Sequence, residues 1–192
     1  MKKIYITILC GLFIALQVAF GRIMAIDVGF MRVTFVFIPI AIGGAILGPV
    51  WNGLICAAAD IAGFLLVPSQ GAFFPGFTLS AFLRGAAYGY FLKGALPFSA
   101  IVSPQAGPLS TNRSLLIRTT IAAFCVTILI DAFLSTWWVA ILYEMPYSVY
   151  FTTRFIRSLA LLPIHVVVFG AIWRSLGKYI ENTIMKKING SG

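Results

Sequence analysis

Long apolar runs, separated by short polar segments, dominate this chain of 192 residues. Hydrophobic residues make up 60% of the sequence and charged residues only 10%, whereas a soluble domain usually carries far more charge. Most runs approach the roughly 20 residues that an α-helix needs to cross a bilayer. They lack the period-two alternation of membrane β-barrel strands, and in lipid every backbone polar group must be hydrogen-bonded internally. The runs therefore predict an all-α, polytopic membrane protein.

Turn-forming residues divide the runs into six predicted spans within a single transmembrane domain, residues 1–192. Gly48-Pro49 separates the second span from the third, and a Pro- and Gly-rich segment, residues 68–77, separates the third from the fourth. The longest polar stretch, residues 93–113, is predicted to be a linker inside the bundle. The six predicted spans are residues 4–21, 33–47, 51–67, 78–92, 114–143 and 150–180.

The basic residues divide by type between the two predicted faces of the membrane. With both termini in the cytoplasm, every lysine falls on the cytoplasmic side, as the positive-inside rule requires. The net charge of +9 is spread between apolar runs rather than along one stripe, which argues against nucleic-acid binding. Five arginines break the rule because they fall in outer loops or in outer halves of spans: Arg22, Arg32, Arg84, Arg154 and Arg157.

These outer arginines suit an acidic solute. Arg84 is predicted about six residues into the fourth span, roughly 9 Å along it, where an unpaired charge is costly. Arg154 and Arg157 are three residues apart and share one helical face. Guanidinium groups bind carboxylates through a bidentate fork, so a cavity lined by them would hold an anion. The alternative is that they reach lipid phosphates or pair with Asp27 and Glu144.

Two carboxylates, Asp60 and Asp131, are predicted at membrane depth, where an ionisable residue is a functional hypothesis by default. Each either pairs with an arginine or accepts donors from a ligand, and a structural contact is favoured for Asp60. His165 is interpreted as a packed polar residue. Aromatic residues gather at the outer end, where an interfacial belt is the alternative to a stacking surface. The residues predicted to bind the solute are Arg22, Phe74, Phe77, Arg84, Asp131, Trp138, Tyr143, Arg154 and Arg157.

Small residues recur at every fourth position on two predicted spans. Gly11, Ala15 and Ala19 form one stripe on the first span, and Ala81, Gly85 and Gly89 form another on the fourth. Such stripes let a second helix approach closely, usually inside the same bundle and sometimes in a partner protein.

The sequence carries no phosphate-binding loop, no zinc-protease motif, no serine nucleophile elbow and no Cys/His cluster. We therefore expect no enzyme activity, no cofactor and no metal site. Any uphill transport would draw its energy from elsewhere.

Several motifs, in this order, resemble one transporter family. They are Arg32-Val-Thr-Phe-Val-Phe-Ile-Pro-Ile40, Gly44-Ala-Ile-Leu-Gly-Pro49, Ala59-Asp60-Ile-Ala-Gly63, Phe74-Pro-Gly-Phe-Thr-Leu-Ser-Ala81 and Trp138-Val-Ala-Ile-Leu-Tyr143, followed by Arg154 and Leu162-Pro163. The chain resembles the substrate-binding S components of energy-coupling factor vitamin transporters, and among them the folate type. It departs from the family pattern at Ser135, where these proteins often carry an asparagine shortly before the tryptophan of the fifth helix.

The resemblance implies a six-helix S component that binds folate near the outer face of the cell membrane. It also implies a transmembrane coupling protein and two ATP-binding-cassette ATPases as partners, with Ala15 and Ala19 matching the family's Ala-xxx-Ala contact with the coupling protein. The whole S component would topple in the membrane to carry its ligand inward. An S component for another planar or anionic vitamin is the alternative, and a membrane scaffold or enzyme subunit without a solute is a third reading.

Overall fold

A computed structural model describes residues 2–23, 26–28, 31–66, 73–93, 112–143, 148, 151–152, 154–156 and 158–172. In these ranges, α1 (Lys2–Val18) continues as a π-helix, Ala19–Ile23, and is followed by α2 (Phe37–Leu47), α3 (Pro49–Leu66) and α4 (Pro75–Leu92). Helix α5 comprises Asn112–Cys125, a π-helical segment Val126–Leu134, and Ser135–Tyr143. Helix α6 lies within Arg154–Ile172. The predicted all-α membrane fold is confirmed, and the single-domain organisation stays a prediction.

Within the described residues, three helical stretches are long and apolar enough to cross a membrane: Pro49–Leu66, Leu116–Leu142 and Arg154–Ile172. Helix α2 is different, since its 11 residues extend only about 16 Å. Residues 34–36 before it are largely non-helical. Irregular backbone at membrane depth is tolerated where it is buried in protein or lines a cavity. The short α2 therefore marks a place where a cavity is expected.

Prolines begin two of the helices. Pro49 starts α3 directly after Gly48, whose φ of 81° is a left-handed conformation that favours glycine. Pro75 starts α4, three residues before the predicted start at residue 78. Proline is well suited to the first helical position, because the backbone N–H that it lacks would have no partner there. The predicted loop 68–77 is thus shorter by its last three residues.

Two short antiparallel strands lie between α1 and α2. Strand β1 (Ile26–Val28) pairs antiparallel with β2 (Met31–Val33), with Asp27 opposite Arg32. Each strand alternates apolar and polar residues, which is the strand pattern, but over three residues only. A run this short does not predict a strand from sequence.

Helix α4 packs closely against α2 and α3. Asn52 is fully buried on α3, and its side-chain Nδ2 donates hydrogen bonds to the backbone oxygens of Ile40 (3.1 Å) and Gly85 (2.7 Å). Gly85 and Gly89 bring α4 so close that an added Cβ at either position would lie 2.5 Å from backbone atoms of α3. Of the two small-residue stripes, the one on α4 packs inside the bundle.

Candidate functional site

A cavity of about 310 Å³ opens between α2, α4, α5 and α6. This is the lower end of the size range of small-molecule sites. The cavity is lined by the following residues: Thr34, Val36, Phe37, Ile40, Phe77, Arg84, Tyr88, Val126, Thr127, Asp131, Ser135, Arg154, Ser158, Leu161 and His165.

Four of the residues predicted to bind a solute line this one cavity. Phe77 and Arg84 come from α4, Asp131 comes from the π-helical segment of α5, and Arg154 comes from the start of α6. π-Helical segments are frequent at functional sites. The cavity therefore combines an aromatic ring, two guanidinium groups and a carboxylate within a mainly apolar bundle.

Arg84 and Asp131 form an ion pair inside the cavity. The Arg84 Nη2 donates to Asp131 Oδ1 at 2.5 Å, and this contact joins α4 to α5. Their side chains are 29% and 35% exposed, so both groups remain accessible from the cavity. Of the two readings left open for Asp131, the pairing with an arginine is the one that the structure shows. Arg84 therefore has a partner within the bundle, on α5.

Two other predicted residues, Phe74 and Trp138, do not line the cavity. The Phe74 ring lies 5.9 Å from that of Phe77 and 5.7 Å from that of Trp138, measured between centroids. The Trp138 Nε1 donates a hydrogen bond to Ser80 Oγ at 3.0 Å. These contacts hold the first turn of α4, and with it Phe77, against α5. Phe74 and Trp138 thus support the cavity wall.

Three of the predicted residues cannot be placed in the cavity. Arg22 and Tyr143 belong to helical segments, but their side chains lie outside the described part of the structure. Arg157 lies outside the described residues altogether.

The cavity also contains polar residues that the sequence analysis did not select. On α6, Arg154, Ser158, Leu161 and His165 all line the cavity. Their spacing of four, three and four residues is that of one helical face, so the pattern was present in the sequence. A polar stripe inside an apolar span was the signal that could have found Ser158 and His165.

His165 combines the predicted packing role with a place in the cavity wall. Its ring lies 4.2 Å from the Phe37 ring and 6.4 Å from the Phe169 ring, measured between centroids. Its Nδ1 is buried and has no hydrogen-bond partner in the described structure. A buried polar atom without a partner calls for an explanation, and a bound ligand could supply one.

A second cavity of about 180 Å³ adjoins the first. The two share Thr34, Val36, Ile40 and Arg84 as wall residues, and the second is also lined by Asp60. There, Asp60 accepts a hydrogen bond from Thr78 Oγ1 at 2.9 Å, which links α3 to α4. Arg84 stands between the two cavities, and Asp60 has the structural contact that the sequence analysis favoured.

The stripe on α1 faces outward. Gly11 and Ala15 are exposed and Ala19 is partly exposed. Apart from the backbone of α1 itself, no described atom lies within 4 Å of a Cβ added at Gly11. Ile4, Ile8 and Leu12 are also exposed on α1. Inside the described bundle, nothing packs closely on Gly11, although small residues normally serve close helix packing.

Comparison with known proteins places the chain in a family, although no family model matches it. It is 32% identical to the folate transporter FolT of Clostridium novyi over 187 residues, which cover 97% of this chain and 98% of that protein. FolT of Leuconostoc mesenteroides subsp. mesenteroides is 24% identical over 188 residues, covering 94% of this chain and 89% of that protein. A crystal structure of FolT bound with folic acid superposes with a TM-score of 0.71 at 33% identity, covering 88% of this chain and 92% of the other. The chain therefore belongs to the family of the folate transporter FolT.

Proposed function

We propose that the chain is the folate-binding S component of an energy-coupling factor importer and that folate occupies the first cavity. The observation that carries this proposal is the convergence of Phe77, Arg84, Asp131 and Arg154 on one cavity. The same fold holds folic acid in a FolT crystal structure. Folate combines a flat pterin ring with two glutamyl carboxylates, and the cavity combines an aromatic ring with guanidinium groups.

The ends of the cavity suit different parts of this ligand. Arg154 lies near the N-terminal end of α6 and Phe77 lies in the first turn of α4, whereas Tyr88 and His165 lie about three turns further along these helices. We infer that the carboxylates lie towards Arg154, with Arg22 and Arg157 as further predicted contacts, and that the pterin lies deeper. Tyr143 remains a predicted contact.

The positive-inside rule gives this cavity an orientation. If the lysine-bearing ends are cytoplasmic, the N-terminal ends of α4 and α6 face outward. Phe77 and Arg154 then lie at the external mouth, as an importer requires. Both termini are cytoplasmic in this arrangement.

Titration calorimetry of the purified protein with folate tests the proposal. We expect saturable binding at a stoichiometry of one, and folate released from the freshly purified protein should be detected by mass spectrometry. Absence of binding, or release of a different vitamin, would contradict it. A different vitamin would leave the S-component architecture intact and change only the ligand.

The α1 stripe supports a partner assignment. Because Gly11 and Ala15 are exposed and do not serve packing inside the described bundle, they leave a groove for a helix of another membrane protein. We propose that this partner is the transmembrane coupling protein, which joins the chain to two ATP-binding-cassette ATPases. ATP hydrolysis would then topple the chain in the membrane and carry folate inward.

Replacing Gly11 with leucine tests the partner site. The larger side chain should prevent close helix approach, so co-purification with the coupling protein and ATP-dependent folate uptake should both be lost. Folate affinity of the isolated variant should stay within about twofold, because Gly11 lines neither cavity. A Gly11→Leu protein that still co-purifies with the coupling protein would exclude this surface.

A further inference from the structure

We propose that the Asp131–Arg84 ion pair reads the hydrogen-bonding edge of the pterin ring, with Asp131 as the residue that selects pterins over other flat bicyclic rings. This inference rests on the proposed function, because it assumes that folate enters the first cavity. It adds that Asp131 and Arg84 bind opposite ends of the same edge of the ring.

The geometry of the pair leaves room for such a role. A carboxylate and a guanidinium group can form two parallel hydrogen bonds, yet here one contact joins them, from Arg84 Nη2 to Asp131 Oδ1. About a third of each side chain is exposed. The contact uses one carboxylate oxygen and one guanidinium nitrogen, so the pair keeps further acceptor and donor atoms for a group in the cavity.

A pterin ring carries the complementary pattern along one edge. Its 2-amino group and N3–H are adjacent donors, and its O4 and N5 are the adjacent acceptors that follow. The donor pair matches the two oxygens of Asp131, in the way that a guanidinium group does. The acceptor pair matches two N–H groups of Arg84. A pterin edge can therefore bond to both partners while they remain neighbours, so neither charge is left without compensation.

Arg84 has space to make this adjustment. It lines both cavities, and its Nε is buried without a hydrogen-bond partner in the described structure. A small withdrawal of the guanidinium group towards the second cavity would open the contact with Asp131. The side chain would stay in polar surroundings, since Asp60 lines the second cavity.

The first test changes the ligand and leaves the protein unaltered. Affinities of the purified protein are measured for 6-hydroxymethylpterin and 6-hydroxymethyllumazine, in which an oxygen replaces the 2-amino group, at a pH where both rings are neutral. We expect the pterin to bind about 10- to 100-fold more tightly, because the lumazine oxygen would face the Asp131 carboxylate and lose a charged hydrogen bond. Equal affinities in a protein that binds folate would overturn the inference and leave the proposed function intact. A protein that binds no folate would overturn both.

The second test changes the carboxylate. Asp131→Asn should weaken folate binding about 10- to 100-fold and reduce the preference for pterin over lumazine to about threefold or less. The matched control is Asp60→Asn, because Asp60 is also a carboxylate inside a helix that accepts one hydrogen bond, but it lines only the second cavity. The control should keep the wild-type preference. An unchanged preference in Asp131→Asn would overturn the assignment.

A third measurement covers the case in which Asp131→Asn does not fold. Arg84→Lys keeps the positive charge and loses the planar pair of donors. It should reduce the preference for pterin over 5-deazapterin, which lacks the N5 acceptor, while the preference over lumazine is retained. If Arg84 had only a structural role, Arg84→Lys would change neither affinity ratio. Two unchanged ratios would therefore overturn the proposed role of Arg84.

Discussion

Replacing Arg84 with methionine is expected to remove measurable folate binding and to destabilise the bundle. Asp131 would keep its charge without a counter-ion, and loss of one partner of a buried ion pair costs about 3–5 kcal/mol. The two side chains here are 29% and 35% exposed towards the cavity, so we expect about 2–4 kcal/mol. Thermal unfolding in detergent, followed by circular dichroism, and folate titration measure the two effects.

Two further variants separate the charge from the binding role of Arg84. The double variant Arg84→Met/Asp131→Leu removes both charges, so its melting temperature should return close to that of the wild type, while folate binding stays lost. Arg118→Met is the matched control, because Arg118 is an exposed arginine on α5 that lines neither cavity. Its folate affinity should be unchanged. An Arg84→Met protein with wild-type affinity would contradict both the site and the ion-pair argument.

The helical architecture could be predicted because its determinants are local. Apolar runs of membrane-spanning length, broken at Gly48-Pro49 and near Pro75, define the spans without reference to their neighbours. The short strands β1 and β2 and the π-helical segment of α5 could not be predicted in this way. Both depend on short stretches whose backbone geometry is decided by the surrounding tertiary packing rather than by their own pattern.

The sequence predicted which residues could form the candidate site, but not which of them contact each other. The depth of Arg84 and Asp131 in apolar spans marked each as a functional candidate. Their contact could not be derived, because the two residues are 47 positions apart and on different helices. Rotation of α4 and α5 about their axes decides whether the side chains meet, and one sequence gives no information on it. The same limit applies to Phe74 and Trp138, whose packing beside Phe77 could not be derived from the sequence and whose contact with a ligand stays a prediction.

The two small-residue stripes show how tertiary structure assigns equivalent patterns to different roles. Gly11 and Gly89 both occur in stripes with a spacing of four, which predicts close approach by another helix without saying which one. In the structure, the Gly89 stripe packs against α3, whereas Gly11 is exposed. Which stripe is buried depends on the helix face that the other side chains of each helix bury. The same glycine-to-leucine substitution is therefore expected to destabilise the protein at position 89 and not at position 11.

Replacing Gly89 with leucine is expected to prevent native packing of α4 against the turn between α2 and α3. A Cβ at this position would lie 2.5 Å from Pro49 Cα and 2.6 Å from Pro49 N, and neither backbone atom can move independently. Overpacking a core commonly costs about 1–3 kcal/mol, and a leucine against backbone should exceed about 3 kcal/mol. The gain in helix propensity over glycine, about 1 kcal/mol, is too small to compensate. Size-exclusion chromatography and thermal unfolding should show aggregation or a much lower melting temperature.

Gly11→Leu provides the matched control for this experiment, because it makes the same change of side chain in another apolar helix. Apart from its chain neighbours and the backbone of its own helix, no atom of the described structure lies within 4 Å of a Cβ at Gly11. Only the gain in helix propensity then remains, and the isolated protein should be as stable as the wild type or slightly more so. Because both variants make the same glycine-to-leucine change, a difference in their stability reports the packing environment of the two positions. If both variants lost stability equally, the cause would be the leucine itself, and the close approach of α4 to Pro49 would be excluded as the reason for glycine at position 89. If only Gly89→Leu is destabilised, the glycine is required by the helix contact that positions Arg84, five residues earlier on the same helix, beside Asp131.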